Sequence, residues 1–354
     1  MLRSRRRRRA VAFIFWGFVV PLSTILLLEA SLRVYDYFSP SFVFPSNSYN
    51  RFRGKPFSND YGFQLNSKGF KDIEYIPHKS SGVYRIVAVG DSFAFGAVPY
   101  QYNYLTLLDN KLDSTHRNVE VINMGIPATR PRDYHSILIK EGLSYVPDMV
   151  IFNVFIGNDF LIPGQQKSYT WHFAKYLLNI LPQYQGAVVH KQATYKDNSP
   201  ALSARHFLEI QLQRSQIFSI SEDELANNMG EAIDYIRQAA DVCRTHEIQF
   251  LVVLIPDQIQ VDKTLQTEVI AASNKQAEDY NFFAPNKLAI AQLRAAGVDV
   301  IDLYPAFTNH AGEQELYKPR DTHWNIAGNK LAAEVLYEYL TRQYFKQNHE
   351  RSTI

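Results

Sequence analysis

The chain has 354 residues, 46% hydrophobic and 20% charged, which excludes a disordered polymer and leaves room for one large domain or two modest ones. Its formal net charge of +2 comes from the amino end: six arginines lie within Arg3–Arg9, and the remainder holds 31 basic against 35 acidic residues. The body therefore has no basic field to attract nucleic acid, and a single cysteine, Cys243, excludes an intrachain disulfide.

Behind a basic tail of residues 1–9, Ala10–Leu28 runs for 19 residues without a charge. As a helix it spans about 28 Å, close to the hydrocarbon thickness of a bilayer. A single transmembrane helix over residues 10–30 is expected, with the arginines on the cytoplasmic side and the rest of the chain across the membrane. A cleaved signal peptide is the competing reading, and Leu28-Glu29-Ala30 is a poor small-x-small cleavage site for it. Residues 31–81 are aromatic and turn-rich, with Pro40, Pro45, Gly54, Pro56 and Gly62, and read as a tether followed by a packed lead-in.

Alternation then begins. Ile86-Val87-Ala88-Val89 is a short, mostly β-branched apolar run of the kind buried on both faces of a sheet, and Gly90 ends it. Tyr104, Leu108 and Leu112 are spaced for a helix, Val119–Ile122 for a strand, about 131–143 for a helix, and Met149–Phe155 for a third strand. From Phe160 to about Ile220 the periodicity is lost, and Trp171, Pro182 and Gly186 suggest an insertion, read either as a substrate-facing lid or as a surface excursion without a part in chemistry. Regular alternation returns with a helix over Glu224–His246, on whose apolar face Cys243 lies as a buried, inert thiol. A strand over Gln249–Ile255, helical segments over about 264–296, a strand over Val298–Ile301 and a helix from Ile326 complete the chain. About five strand–helix repeats argue for an α/β fold, a parallel sheet of about five strands sandwiched by helices.

Three glycine-containing turns follow three successive strands: Gly90-Asp91-Ser92, Asn123-Met124-Gly125 and Gly157-Asn158-Asp159. In an open parallel sheet all three project at the carboxyl edge, where such sheets bind ligands. A fourth cluster, Asp321-Thr322-His323-Trp324-Asn325, lies between the last strand and the last helix and reaches the same edge. Each residue has a plain reading beside its chemical one: Asp91 or Ser92 as a helix cap, Gly125 as a turn glycine, Asn158 as a turn residue, His323 as a structural histidine, and Trp324 as core or site lining. Together they supply a hydroxyl, a glycine N–H, a carboxamide and an imidazole near a carboxylate, which is the set that nucleophilic acyl transfer needs. No His/Cys/Asp cluster has metal-ligand spacing, and neither G-x-S-x-G nor a Rossmann glycine fingerprint is present, so neither metal nor cofactor is expected.

The four clusters, in this order, resemble the conserved blocks of the SGNH (GDSL-type) hydrolase superfamily over about residues 85–340. The resemblance implies an SGNH/flavodoxin-like three-layer domain over 82–345, with an insertion at about 160–222 and a tail at 346–354. It implies Ser92 as nucleophile, His323 as general base, and an oxyanion hole made of the Ser92 backbone, Gly125 and Asn158. In one respect the chain departs from the usual pattern: three residues before His323 stands Arg320, and the available acid is Asp321, two before. That D-x-H spacing resembles the acetyltransferase-like branch, and Asp302 is held in reserve as the orienting acid. Upstream, Asn66-Ser67-Lys68-Gly69-Phe70 resembles a lead-in of membrane-anchored bacterial members related to the alginate O-acetylation proteins. The resemblance thus implies a periplasm-facing protein of the bacterial inner membrane, acting as an esterase on O-acetyl groups of a polysaccharide or other glycan alongside polysaccharide-assembly proteins. An O-acetyltransferase with the same residues, and a non-catalytic glycan-binding or assembly protein on this fold, are the alternatives.

Overall fold

A computed structural model describes residues 12–13, 15–38, 49–116, 118–160, 171–175 and 194–345. The arginine run, the 346–354 tail and, of the expected insertion, 161–170 and 176–193 (Pro182 and Gly186 among them) lie outside the described residues. The chain divides into two compact units, one of Met1–Phe52 with Gly164–Lys191 and one of Arg53–Pro163 with Gln192–Ile354.

In the first unit a π-helical turn, Phe15–Val19, leads into helix α1, Val20–Phe38. The segment Phe15–Val34, 20 residues, is long and apolar enough to cross a membrane, and it leaves Trp16, Phe18 and Leu27 exposed. The helix runs on past Leu28, where the apolar stretch ends in the sequence. Glu29 and Arg33 pair one turn apart at 2.6 Å, and Glu29 also accepts a hydrogen bond from Phe173 N (2.8 Å).

The second unit opens on a small hairpin, β1 (Asn59–Asp60) and β2 (Phe63–Gln64). The five-stranded sheet comprises β3 (Tyr84–Gly90), β4 (Val119–Gly125), β5 (Met149–Phe155), β6 (Gln249–Ile255) and β7 (Asp299–Asp302). All its pairings are parallel and its order is β4-β3-β5-β6-β7, so the chain reverses its direction of travel across the sheet between β4 and β5. Its helices include α2 (Ser92–Phe95), α3 (Tyr104–His116), α4 (Pro131–Lys140), α5 (Ala204–Ser215), α6 (Glu222–Thr245), α7 (Lys263–Ala272), α8 (Ala284–Ala295) and α9 (Ile326–Leu340), with short helical segments at Gln258–Val261 and Tyr304–His310.

Strand β5 is buried along its whole length and β3 along all but Tyr84, which is why both read as continuous apolar runs. Ile86 and Ala88 face a core shared with Leu105, Leu108 and Leu112 of α3 and Ala332, Leu336 and Leu340 of α9. Val87 and Val89, buried on the opposite face by strand alternation, lie on the side covered by α4, α6 and α8, which pack in series. On this side Cys243 is buried, and burial pushes its thiol up to about 12.

The expected loss of regular structure up to Ile220 is corrected by α5. Its buried face is Phe207, Gln211 and Ser215, correctly spaced for a helix but mostly polar, so hydrophobic periodicity does not reveal it.

Residues 53–81 are built into this unit. Asn66 Oδ1 accepts from Lys68 N (3.1 Å) and Phe70 N (3.0 Å), and Gly69, at φ +78°, backs onto Gly54 so closely that a Cβ would stand 2.0 Å from Gly54 O. That turn delivers Lys71 and Asp72 to the interior. Lys71 Nζ donates to Gly96 O (2.9 Å) and Val98 O (2.6 Å), just beyond α2, and pairs with Asp60. Asp72 accepts from Asn123 N (2.7 Å) in β4 and from the Tyr100 hydroxyl (3.0 Å), while burial pushes its carboxyl up to about 7. The lead-in thus braces the two loops that carry the first two sequence blocks.

Candidate active site

Strand β3 delivers the first block to the carboxyl edge of the sheet. Gly90 is needed there because a Cβ would stand 2.8 Å from Ala94 Cβ and 2.9 Å from Asn153 Cβ. Asp91 is the cap of the short α2, its Oδ1 accepting from Phe93 N at 2.8 Å. Its carboxyl is fully buried, and burial pushes it up to about 6 even though Phe93 N and the nearby His323 favour the anion. Since Asp91 supplies the cap, the Ser92 hydroxyl is free for another partner. Ser92 is the first helical residue, so its N–H has no acceptor within the helix.

That partner comes from the far end of the chain. His323 Nε2 lies 2.8 Å from Ser92 Oγ, and His323 Nδ1 lies 2.7 Å from Asp321 Oδ1, making an unbroken line from hydroxyl to carboxylate. Asp321 Oδ1 also accepts from His323 N at 3.2 Å, so the i, i+2 spacing closes a tight ring around the acid. Burial alone would raise the Asp321 carboxyl; the hydrogen bond and charge of His323, with help from Lys318, outweigh it and hold it at about 2. Asp302 is held elsewhere: its Oδ1 accepts from Asn286 Nδ2 (2.9 Å) and Tyr304 N (3.0 Å). Among the described residues, Asp321 is the carboxylate hydrogen-bonded to His323.

Gly125 ends β4 directly beside Gly90 in the register. It sits hard against the nucleophile turn, where a Cβ would stand 2.3 Å from Phe95 N. Its N–H, however, donates to Asn123 Oδ1 at 2.8 Å, while Asn123 Nδ2 donates to Ala94 O at 2.7 Å. In the resting site this N–H, the expected oxyanion donor, is thus engaged by Asn123. Asn123, at the head of N-x-G, holds the glycine and the serine helix together.

Asn158 follows β5, which flanks β3 on its other side, and is half-buried with Oδ1 unpartnered among the described residues. Its neighbour Gly157 has no room for a side chain, since a Cβ would stand 2.0 Å from Asp257 Oδ2. Asp159 turns inward and accepts from Phe155 N (2.9 Å) and the Tyr134 hydroxyl (2.8 Å), locking the turn. Burial, and then the nearby Asp91, push its carboxyl well above the ordinary carboxylate range. Asp257, after β6, is fully buried and pairs with Arg214 of α5 at 3.4 Å. Asp91 and Asp159 thus support their turns, and Trp324 is core at 2% exposure.

Sequence reasoning missed Lys318, three residues before Asp321, whose Nζ stands 3.4 Å from Asp321 Oδ2. It also missed the return of the insertion, where Tyr195 lies under that ammonium, 5.0 Å from ring centroid to Nζ. The signal available for Lys318 was its spacing of three from an acid in a turn.

A five-stranded parallel sheet in this order, with a serine after its first strand and a histidine–aspartate pair before its last helix, is an SGNH-like fold. Residues 214–353 match the family model described as "SGNH hydrolase-like domain, acetyltransferase AlgX". The match takes in His323 and Asp321 and begins after Ser92, Gly125 and Asn158. No curated protein matches the chain. Among solved structures, the chain is similar to the acetyl xylan esterase AlAXEase at 17% identity, over 72% of this chain and 99% of that one, with a TM-score of 0.42. The lipase/acylhydrolase from Enterococcus faecalis is similar at 16% identity, over 74% and 97%, with a TM-score of 0.40. A catalytic mutant of Axe2, an acetylxylan esterase from Geobacillus stearothermophilus, is similar at 12% identity, over 74% and 95%, with a TM-score of 0.40.

Proposed function

We propose that the chain is a serine-dependent acyl-ester hydrolase that removes O-acetyl groups from a polysaccharide or other glycan outside the cytoplasm. The observation that carries the reading is the Ser92–His323–Asp321 line, 2.8 Å and 2.7 Å at its two junctions. Ser92 Oγ attacks the ester carbonyl and its proton passes to His323 Nε2, with Asp321 stabilising the imidazolium. The carbonyl oxygen takes the negative charge, facing Ser92 N–H and the Asn158 carboxamide, with Gly125 N–H joining if it leaves Asn123. The ester C–O bond then breaks, His323 returns the proton to the departing sugar oxygen, and acetyl-Ser92 remains. Water, activated by His323, releases acetate. A sugar hydroxyl in place of that water makes the chain an O-acetyltransferase, the second reading, which the wording of the matched family model favours.

A glycan substrate is supported by aromatic surface beside the acid: Tyr61, on the hairpin turn and 41% exposed, meets Tyr195 edge-to-face at 5.3 Å. An extracytoplasmic site is supported by the apolar Phe15–Val34 helix following six arginines.

The test is release of p-nitrophenol from its acetate by the detergent-solubilised chain, with and without an acetylated or acceptor oligosaccharide. Ser92→Ala is expected to lose turnover by about 10⁴-fold or more; equal rates would sink the nucleophile assignment. Acetylated oligosaccharide as product selects the transferase, free acetate alone the esterase. For topology, a reporter active only in the periplasm, fused after Ile354, is expected to be active; a silent but intact fusion contradicts the orientation.

A further inference from the structure

Both oxygens of Asp321 are engaged. Oδ1 serves His323, and Oδ2 faces Lys318 Nζ at 3.4 Å. Lys318 is 7% exposed, an unusual place for an ammonium, and besides Asp321 it has the face of Tyr195 5.0 Å away. The turn joining lysine and acid is closed by its own backbone: Asp321 N donates to Lys318 O (3.1 Å) and Lys318 N to His323 O (3.0 Å). Arg320 takes a left-handed φ of +47° to complete it.

The same turn is gripped by residues 194–202, the return of the insertion. Ala201 N donates to Pro319 O (3.2 Å) and Leu202 N to Arg320 O (3.1 Å). Asp197 Oδ1 accepts from Ile326 N (3.0 Å) at the start of α9 and from the Tyr195 hydroxyl (2.5 Å). Tyr195 is therefore fixed at its hydroxyl while its face carries the lysine.

We propose that Lys318, seated on Tyr195, is a positioning residue for the catalytic acid: by holding Asp321 Oδ2 it fixes the carboxylate so that Oδ1 stays on His323 Nδ1. The proposal rests on the Ser92–His323–Asp321 reading and extends it to the insertion, whose return segment becomes part of the acid's support. A carboxylate bonded through one oxygen alone turns about its Cβ–Cγ bond, and the imidazole turns with it. A misplacement of about 1 Å at the reacting atoms costs on the order of 10²-fold in rate. Asp91, which interacts with His323, and the phenols of Tyr61 and Tyr195, which interact with Asp321, are retained in the variants below.

The experiment follows the rate of covalent labelling of Ser92 by a fluorophosphonate, and of p-nitrophenyl acetate hydrolysis, in the full chain. Lys318→Met is expected to lower kcat about 10- to 100-fold with KM unchanged. Labelling of Ser92 is expected to slow in parallel, because both reactions need His323 aligned on the serine. Lys318→Arg, which keeps a charged donor beside Oδ2, is expected to restore most of both rates. A Lys318→Met protein with wild-type kcat overturns the proposal and leaves the triad standing. So does a kcat that falls as far in Lys318→Arg as in Lys318→Met, or a fall carried by KM instead of kcat, which marks lost packing rather than positioning. Undiminished labelling of Ser92→Ala removes the triad itself, and the proposal with it.

Discussion

Asp321→Asn is expected to cut turnover of an acetyl ester by about 10⁴-fold while leaving the protein folded. Asp321 Oδ1 accepts from His323 Nδ1, so the imidazole proton sits on Nδ1 and Nε2 is bare toward Ser92 Oγ. A carboxamide at this position has one oxygen, and Lys318, a pure donor facing Oδ2, claims it. The amide NH₂ is then left facing His323 Nδ1, which must accept. The proton moves to Nε2, where it points at the serine and blocks its deprotonation. The same substitution has a pH signature. Held at about 2, the carboxyl lies below its ordinary value near 3.8, so the folded state resists protonation more than the unfolded chain. Its contribution to stability is present above pH 4 and is lost as the pH falls from there toward 2. Melting curves of Asp321→Asn should therefore lose less stability than wild type over that interval. Stopped assays of p-nitrophenyl acetate give the rate; turnover within tenfold of wild type removes Asp321 from the mechanism.

Much of this site was legible because its parts follow strong local signals. The apolar run Ile86–Val89 with Gly90 behind it marks a central strand, and Asp91 before Ser92 marks a cap, which leaves the serine hydroxyl for His323. Glycines 90 and 157 mark places where backbone and neighbour approach too closely for a Cβ. What stayed hidden depends on partners distant in sequence. Nothing local reveals that Gly125 N–H is taken by Asn123, because N-x-G looks the same whether the amide faces a ligand or the neighbouring carboxamide. Helix α5 was invisible because Gln211 and Ser215 occupy core positions, and Arg214 on it answers a buried Asp257 that lies 43 residues on. The helix carries on past Leu28, where the charges begin in the sequence, because Glu29 and Arg33 pair one turn apart on it. In the same way Lys318 reads as a surface lysine until Tyr195 and Asp321 are seen on either side of it.

Trp324→Ala is expected to destabilise the second unit by about 3–5 kcal/mol, the range for removing a large buried aromatic side chain. At 2% exposure, Trp324 stacks on Phe307 (4.8 Å between centroids) and meets Phe93 (4.9 Å) and Tyr104 (5.5 Å) edge-on. These neighbours come from three separate parts of the unit, so no single side chain can relax into the hole, and the cavity cost adds to the transfer cost. The positions matter as much as the area. Phe93 follows Ser92 and Trp324 follows His323, so their contact ties the nucleophile's turn to the base's turn directly behind the 2.8 Å junction. Trp324→Phe keeps part of that contact and is expected to lose less of both stability and rate. Urea unfolding followed by circular dichroism gives the stability change, and assays well below the midpoint give the rate of the folded fraction. A loss under 1 kcal/mol would mean the aromatic cluster repacks freely. A loss of stability with an undiminished rate per folded molecule would show that Ser92 and His323 keep their alignment without the Phe93–Trp324 contact.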